Sequence, residues 1–311
     1  MDHLKRIQLH VLNLCHLHEL NVNKQKLVLI KYYSKFIFIA SLIVFTSACT
    51  FKFTYNNLEY IIPSYVEGMV SLDGILEKRV EQQTMSLINW HRNTQLIQYA
   101  DLLRGLKRDF GLDLTEEQVS HTIVTIESLW QLLAEKLNEE MVVLLPLLNN
   151  SQLEELFVSI NKKNDKFYKE NVDLDKDEIA EEFKERLLDN FESWLGDLTK
   201  QQKNEIQKTA TMIYSSAHLR LKLRKYWQEN IQEILKAEDT IEVKSDQLNI
   251  FFNQFNVERI NILADIRNKN IQAIGLLTVK LIHIATPDQK QHFTNKADDY
   301  IQIFTELKEN R

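Results

Sequence analysis

Leu114–Leu137 reads LTEEQVSHTIVTIESLWQLLAEKL, and the fold class turns on it. Val119, Ile123, Ile126, Trp130, Leu133 and Leu137 recur at three or four residues, which lines them up on one face of an α-helix. Thr115 stands just ahead of that stripe, with Gln118 three residues on. This is a capping box. The threonine oxygen accepts from a free amide of the first turn, and the glutamine reaches back to the amide of the cap residue. Leu114 and Val119 are placed to staple across the box.

The same device recurs along the chain. Leu198-Thr199-Lys200-Gln201-Gln202 and Ala285-Thr286-Pro287-Asp288-Gln289 repeat it, and Leu148-Asn149-Asn150-Ser151-Gln152 is a variant with asparagine as cap. Pro287 falls at the first helical position, where a missing N–H costs nothing. Gly111 and Gly196 precede two of the boxes and suit the ends of the preceding helices. The spacings between boxes are unequal, which argues against a regular solenoid.

Helical period continues outward in both directions. One stripe is Leu72, Leu76, Val80, Leu87, His91, Tyr99, Leu102 and Leu106. Later stripes run through Leu153, Phe157, Ile160 and Phe167, then Ile179, Phe183, Leu187, Phe191 and Trp194. A long one passes Ile206, Ala210, Ile213, Ala217, Leu221 and Ile231, and another runs from Leu248 through Phe252, Phe255, Ile262, Ile266, Ala273 and Leu277 to Leu281. Phe293, Ala297, Tyr300, Phe304 and Leu307 close the chain. With 6 Gly and 3 Pro in 311 residues, there are too few turn formers for a sheet protein. The expectation is an all-α fold of about seven or eight helices, several very long, in an elongated bundle or curved array.

The N-terminal part reads differently. Lys31 and Lys35 flank Phe36–Phe45, ten uncharged residues, followed by Thr46-Ser47-Ala48 and Cys49. That is the layout of a bacterial signal peptide with a lipid-accepting cysteine, cleaved between Ala48 and Cys49. The apolar run is shorter than the ~20 residues a spanning helix needs. The competing reading is a short buried helix with an ordinary cysteine. Residues 1–30 precede a signal that is already complete, so they read as a gene-model extension or a long n-region. Residues 31–48 are then the signal, 49–71 the anchor and an aromatic lead-in, and 72–311 the helical domain. Pro63 in the lead-in is expected to end or bend any helix there. Before Cys49 lie 6 Lys/Arg and 2 Asp/Glu, which leaves 32 basic and 42 acidic residues and a net charge of −10 from Cys49 onward. So acidic a body is a poor nucleic-acid binder. With Cys15 removed and Cys49 acylated, no disulfide forms.

Several pieces together resemble a domain-of-unknown-function family of proteobacterial lipoproteins. They are the lipobox, Tyr55-Asn56-Asn57-Leu58, Trp90-His91-Arg92, Tyr99-Ala100-Asp101-Leu102-Leu103, Leu114–Gln118, and Trp194-Leu195-Gly196-Asp197-Leu198-Thr199 with Gln202. The departures are Thr46 in the lipobox, and Ser71-Leu72-Asp73-Gly74 where the family tends to show another Leu-Thr box. The resemblance implies a helical, membrane-anchored periplasmic protein, and it supplies no reaction. The boxes also resemble short pieces of ATP-independent periplasmic chaperones.

Trp90, His91, Arg92 and Tyr99 make the best polar cluster, because His91 lies on the apolar stripe with Thr84, Gln95 and Tyr99. An imidazole there either binds a ligand or is hydrogen-bonded inside the bundle. The other histidines after Cys49 are His121, His218, His283 and His292, and no two of the five stand at helical metal-pair spacing. Asp173, Asp175 and Asp177 imitate the start of a calcium loop, but Glu178 replaces the turn glycine and Lys184 the closing glutamate. They read instead as a linker capping the next helix. Arg220, Lys222, Arg224 and Lys225 read as a solvated face, with an anionic headgroup or a partner as the other possibility. No metal or cofactor is expected. Taken together, the residues point to a non-enzymatic lipoprotein held in the membrane by acylated Cys49, in the outer membrane facing the periplasm because Thr50 is not Asp. Its expected role is structural or interactive, with an envelope protein as partner or client and no nucleic acid. The alternatives are a chaperone-like binder of hydrophobic clients and an enzyme built on His91.

Overall fold

The computed structural model describes residues 48–110 and 114–309. Every element among them is helical. They are α1 (Ala48–Asn56), α2 (Leu58–Glu67), α3 (Gly74–Thr94), α4 (Leu96–Asp109), α5 (Glu116–Leu144), α6 (Asn150–Phe167), α7 (Lys176–Leu195), α8 (Lys200–Ala210), α9 (Ala217–Lys236), α10 (Ile241–His283) and α11 (Pro287–Glu309). A 3-10 turn, Leu145–Leu147, follows α5, and a π-helical turn, Tyr168–Val172, follows α6. Residues 1–30, the signal stretch up to Ser47, and Gly111 lie outside the described residues.

One nine-residue helix and ten longer ones exceed the seven or eight expected. The surplus has three sources. Most of residues 49–71 is itself helical, as α1 and α2. The stripe drawn from Leu72 to Leu106 breaks at Gln95, which ends α3 and opens α4. The stripe from Ile206 to Ile231 breaks at Thr211–Ser216, where Tyr214 exchanges two 2.9 Å hydrogen bonds with the Asn270 side chain: its N–H donates to Oδ1, and its carbonyl accepts from Nδ2. Pro63 does not end α2. Its missing N–H would have bonded the carbonyl of Glu59, an exposed residue whose oxygen water can reach.

Two buried clusters among the described residues draw distant helices together. In the first, Phe110, Leu187, Leu195, Ile206, Leu281 and Phe293 bring together the end of α4, α7, α8, the C-terminal part of α10, and α11. Phe110 stacks on Phe293 with centroids 4.1 Å apart. In the second, Leu153, Phe157, Ile231, Leu235, Leu248 and Phe252 join α6, α9 and the N-terminal part of α10. α10 therefore reaches both cores; at 1.5 Å per residue its 43 residues span about 65 Å.

α5 runs antiparallel along α10. Ser120 faces Gly275, where a methyl group would lie 3.3 Å from its Oγ, so glycine permits a close approach. Glu127 pairs with Arg267, and Ser245 Oγ donates to the Val142 carbonyl at 3.2 Å. Between Phe255 and Gly275 no residue of α10 is fully buried. Ile126, Leu137 and Ile262, expected on the covered stripe, are exposed there, because a two-helix seam is narrower than the apolar face of either helix.

Candidate functional site

α1 brings an aromatic row onto the body. Phe51 meets the rings of Tyr300 and Phe304 on α11 edge-on, at 6.1 and 5.6 Å, and stacks on Tyr55 at 5.9 Å. Lys52 pairs with Glu306 at 2.6 Å. The lead-in is thus packed, as its aromatic content suggests. One turn after Phe51, Tyr55 is 5 % exposed and donates to or accepts from His91 Nδ1 at 2.9 Å.

His91 sits in the last turn of α3, and Tyr99 in the first turn of α4 beyond the break at Gln95. The break brings the Tyr99 hydroxyl to 3.4 Å from His91 Nε2. The imidazole is therefore held between two phenols, one on each ring nitrogen. Trp90 packs beside it at 6.4 Å, and the Arg92 guanidinium lies 5.7 Å from the Tyr55 ring centroid. Of the residues expected here, Trp90, His91, Arg92 and Tyr99 come together. Tyr55 completes the group; its sequence signals were the aromatic lead-in and the Tyr55-Asn56-Asn57-Leu58 motif. Gln95, 1 % exposed, keeps its side-chain oxygen without a hydrogen-bond partner among the described residues.

Burial sets the electrostatics. It lowers the His91 pKa to about 4. Burial also raises the Tyr99 hydroxyl to about 12 and the Tyr55 hydroxyl to about 12, the latter against the charge and hydrogen bond of Arg92. At neutral pH the imidazole is uncharged and both phenols keep their protons. Such a trio ties α1 to the α3–α4 junction, and it holds no ionised base.

The capping boxes do more than cap. Thr115, Asn149, Thr199 and Thr286 each accept from the amide of Gln118, Gln152, Gln202 and Gln289, and each glutamine oxygen takes the amide of its cap residue. Gln118 stops there and is exposed. Gln202 and Gln289 are buried and exchange two 2.9 Å amide hydrogen bonds, clasping the starts of α8 and α11 together. Gln289 Nε2 also donates to the Asp197 carbonyl at 2.8 Å. Gln152 donates to the Ser71 carbonyl at 2.9 Å and to Asp73 Oδ1 at 3.3 Å, tying the start of α6 to that of α3. Asp73, the N-cap of α3, makes no side-chain cap bond of its own.

The other sequence candidates also have places. Asp175 caps α7, accepting from the amides of Asp177 and Glu178 at 2.8 and 2.9 Å, and Glu178 closes the box. Among the described residues no group of three or more His, Cys, Asp or Glu is arranged to hold a metal ion. No described helix is long and apolar enough to cross a membrane. Ala48 and Cys49 lie in the first turn of α1. Lys222 and Lys225 are exposed, while Arg220 and Arg224 turn inward onto Phe167, 5.7 and 4.3 Å from its ring centroid.

The model of a protein family described as "Family of unknown function (DUF6279)" matches residues 69–253, more than half of the chain. The chain belongs to that family. The matched region holds His91, Tyr99, four of the five capping boxes and the whole second core. No curated protein and no solved structure matches the chain.

Proposed function

We propose that this member of a family of unknown function is a lipoprotein, cleaved after Ala48, acylated at Cys49, and held in the outer membrane facing the periplasm. It works there as a structural or interaction protein of the envelope and not as an enzyme. The observation that supports this reading is the position of Cys49. It follows the charged flank, apolar run and small residues of Lys31–Ala48, and it stands two residues before Phe51, which packs on α11. An acyl chain at Cys49 would hold the helical body close against the bilayer with no flexible tether. Each buried acyl CH₂ gives about 0.8 kcal/mol, and two or more chains hold stably. The His91 trio suits the same reading, because it fixes α1 to the body.

Mass spectrometry of the N-terminus from the membrane fraction tests this. The expected result is a mature chain starting at acylated Cys49, with Cys49→Ser left uncleaved. An intact, unmodified wild-type chain would overturn it.

A second reading, a chaperone-like binder of hydrophobic clients, has one observation in its favour. Val124 and Leu132 on α5, and Val257, Ile260 and Ile262 on α10, are 40–61 % exposed. Val257 and Ile262 line an open groove of about 620 Å³ with Asn253, Gln254, Glu258 and Asn261. Val257→Asp/Ile262→Asp should then lose the ability to keep a denatured client soluble. If wild type has no such ability, this second reading goes.

A further inference from the structure

Four arginines from three helices gather where α6 ends. Arg220 and Arg224 leave α9 one turn apart and lie over the Phe167 ring. Arg186 comes from α7 and Arg259 from α10, and with Arg224 they are the charges that act on Arg220, all of them positive. Burial and these like charges push the Arg220 pKa down, and burial does the same to Arg224. Arg186 has Glu182 Oε2 and Asn171 Oδ1 each at 3.4 Å. Among the described residues Arg220, Arg224 and Arg259 are in no ion pair. Three positive charges are thus gathered without a counter-charge, in a body whose net charge from Cys49 onward is −10.

Such an arrangement costs stability by repulsion and desolvation. It is nonetheless held in place. The face of Phe167 orients two guanidinium groups. The π-helical turn Tyr168–Val172 begins at the next residue, packs against α9 and carries Asn171, which faces Arg186. π turns inside helices are frequent at functional sites. Guanidinium forks match phosphate oxygens two by two, and the three uncompensated charges call for a ligand with two or more negative charges. A single carboxylate or a zwitterionic headgroup does not balance them.

We propose that Arg220 and Arg224, stacked over Phe167, with Arg186 and Arg259 as the further positive charges beside Arg220, bind a phosphate dianion: a phosphomonoester or a diphosphate. The group is either free in solution or carried on a lipid. This site is separate from the His91 trio and does not depend on the anchor at Cys49.

The test is thermal unfolding and binding of the full chain in detergent, with inorganic pyrophosphate in one arm and short-chain phosphatidic acid in the other. Acetate, and sodium chloride at equal ionic strength, are the controls. Wild type should melt higher with at least one of the two phosphates and not with the controls. A rise with pyrophosphate alone assigns a soluble ligand, and tighter binding of phosphatidic acid assigns a headgroup. R220Q/R224Q should weaken binding by about tenfold or more for each arginine removed. It should also melt no lower than wild type without anion, because repulsion is relieved. Should that variant misfold, R259Q carries the same expectation for one arginine. No shift in wild type with either phosphate, or an undiminished shift in the variants, would overturn the proposal. So would variants that melt lower without anion while binding normally, since that marks a purely structural stack on Phe167.

Discussion

Replacing Gln202 by Leu isolates the clasp between capping boxes. The side chain is 0 % exposed. Its oxygen accepts from the Thr199 amide at 2.9 Å and from Gln289 Nε2 at 2.9 Å, and its amide donates to Gln289 Oε1 at 2.9 Å; a further contact of that amide with the Leu281 carbonyl, at 3.5 Å, is too long to add much. At about 1 kcal/mol net for each hydrogen bond, Gln202→Leu should cost roughly 3 kcal/mol. The cost stays near that figure because Gln289 is not orphaned: its oxygen keeps the Thr286 amide and its nitrogen the Asp197 carbonyl. Gln289→Leu breaks four bonds and should cost about 4 kcal/mol by the same rule. The two singles count the bridging pair twice, so the double variant should fall short of their sum by about 2 kcal/mol. Gln118→Leu is the internal control, since its exposed side chain serves only its own box; it should cost about 1 kcal/mol or less. Guanidinium unfolding of the four variants, followed by circular dichroism and read as the midpoint shift times m, measures all of this. If Gln202→Leu costs no more than Gln118→Leu, or the double variant is simply additive, the clasp contributes nothing and the boxes are caps alone.

Other outcomes follow from single sites. The folded-state pKa of His91 is depressed from 6.5 to about 4, so the unfolded chain binds the extra proton first on acidification. The stability from neutral, buried His91 is therefore fully present above about pH 6.5, and it is lost progressively down to about pH 4. The loss is up to about 3 kcal/mol. Melting curves across that window should show a slope that His91→Gln removes, and an equal slope in the variant would place the titration elsewhere. Gly196 has φ 74° and ψ −153° at the end of α7, a region nearly closed to other residues. Gly196→Ala should lower stability by about 1–3 kcal/mol although the space beside it, 3.6 Å from the His292 ring, is open enough for a methyl group; an unchanged melting temperature would refute the strain. Leu281→Ala empties a site that is 0 % exposed in the first core and should cost about 2–5 kcal/mol, whereas Ile250→Ala, 57 % exposed, should stay within about 0.5 kcal/mol.

The sequence reveals faces better than it reveals breaks. The four boxes with glutamine were legible because capping is local chemistry, written in a threonine or asparagine and a glutamine three residues on. The second use of Gln202, Gln289 and Gln152 was not legible, since it depends on which helix starts meet in space. Gln95 and Thr211–Ser216 carry no glycine or proline, so the breaks there left no local mark. The break at Gln95 also moved the phase of the stripe: Leu96, Ala100 and Leu103 are buried, whereas Leu102 and Leu106 are only partly so. At the candidate site, the cluster around His91 was visible as a histidine on an apolar stripe. Its partner Tyr55, 36 residues away, was marked by the aromatic lead-in and the Tyr55–Leu58 motif, neither of which points to His91.

The basic run of α9 shows the same limit from the other side. Residues 220 and 224 are one turn apart and differ from 222 and 225 in the direction they face, which helical period already states. The period places Arg220 and Arg224 beside Ala217, Leu221 and Ile231 on the inward half of α9, all three of them buried. A charged pair on an inward face is ordinarily read as stems lying along the core with heads in water. What changes that reading here is non-local: Phe167 from α6 lies under both heads, and the charges of Arg186 from α7 and Arg259 from α10 act on Arg220. A snorkelling arginine relieves its own desolvation by moving out toward solvent. Two arginines stacked on one ring, with two further like charges around them, have less freedom to do so. Their cost is offset most directly by an anion, which makes this cluster the place in the molecule where adding a ligand should raise stability and removing a charge should do the same.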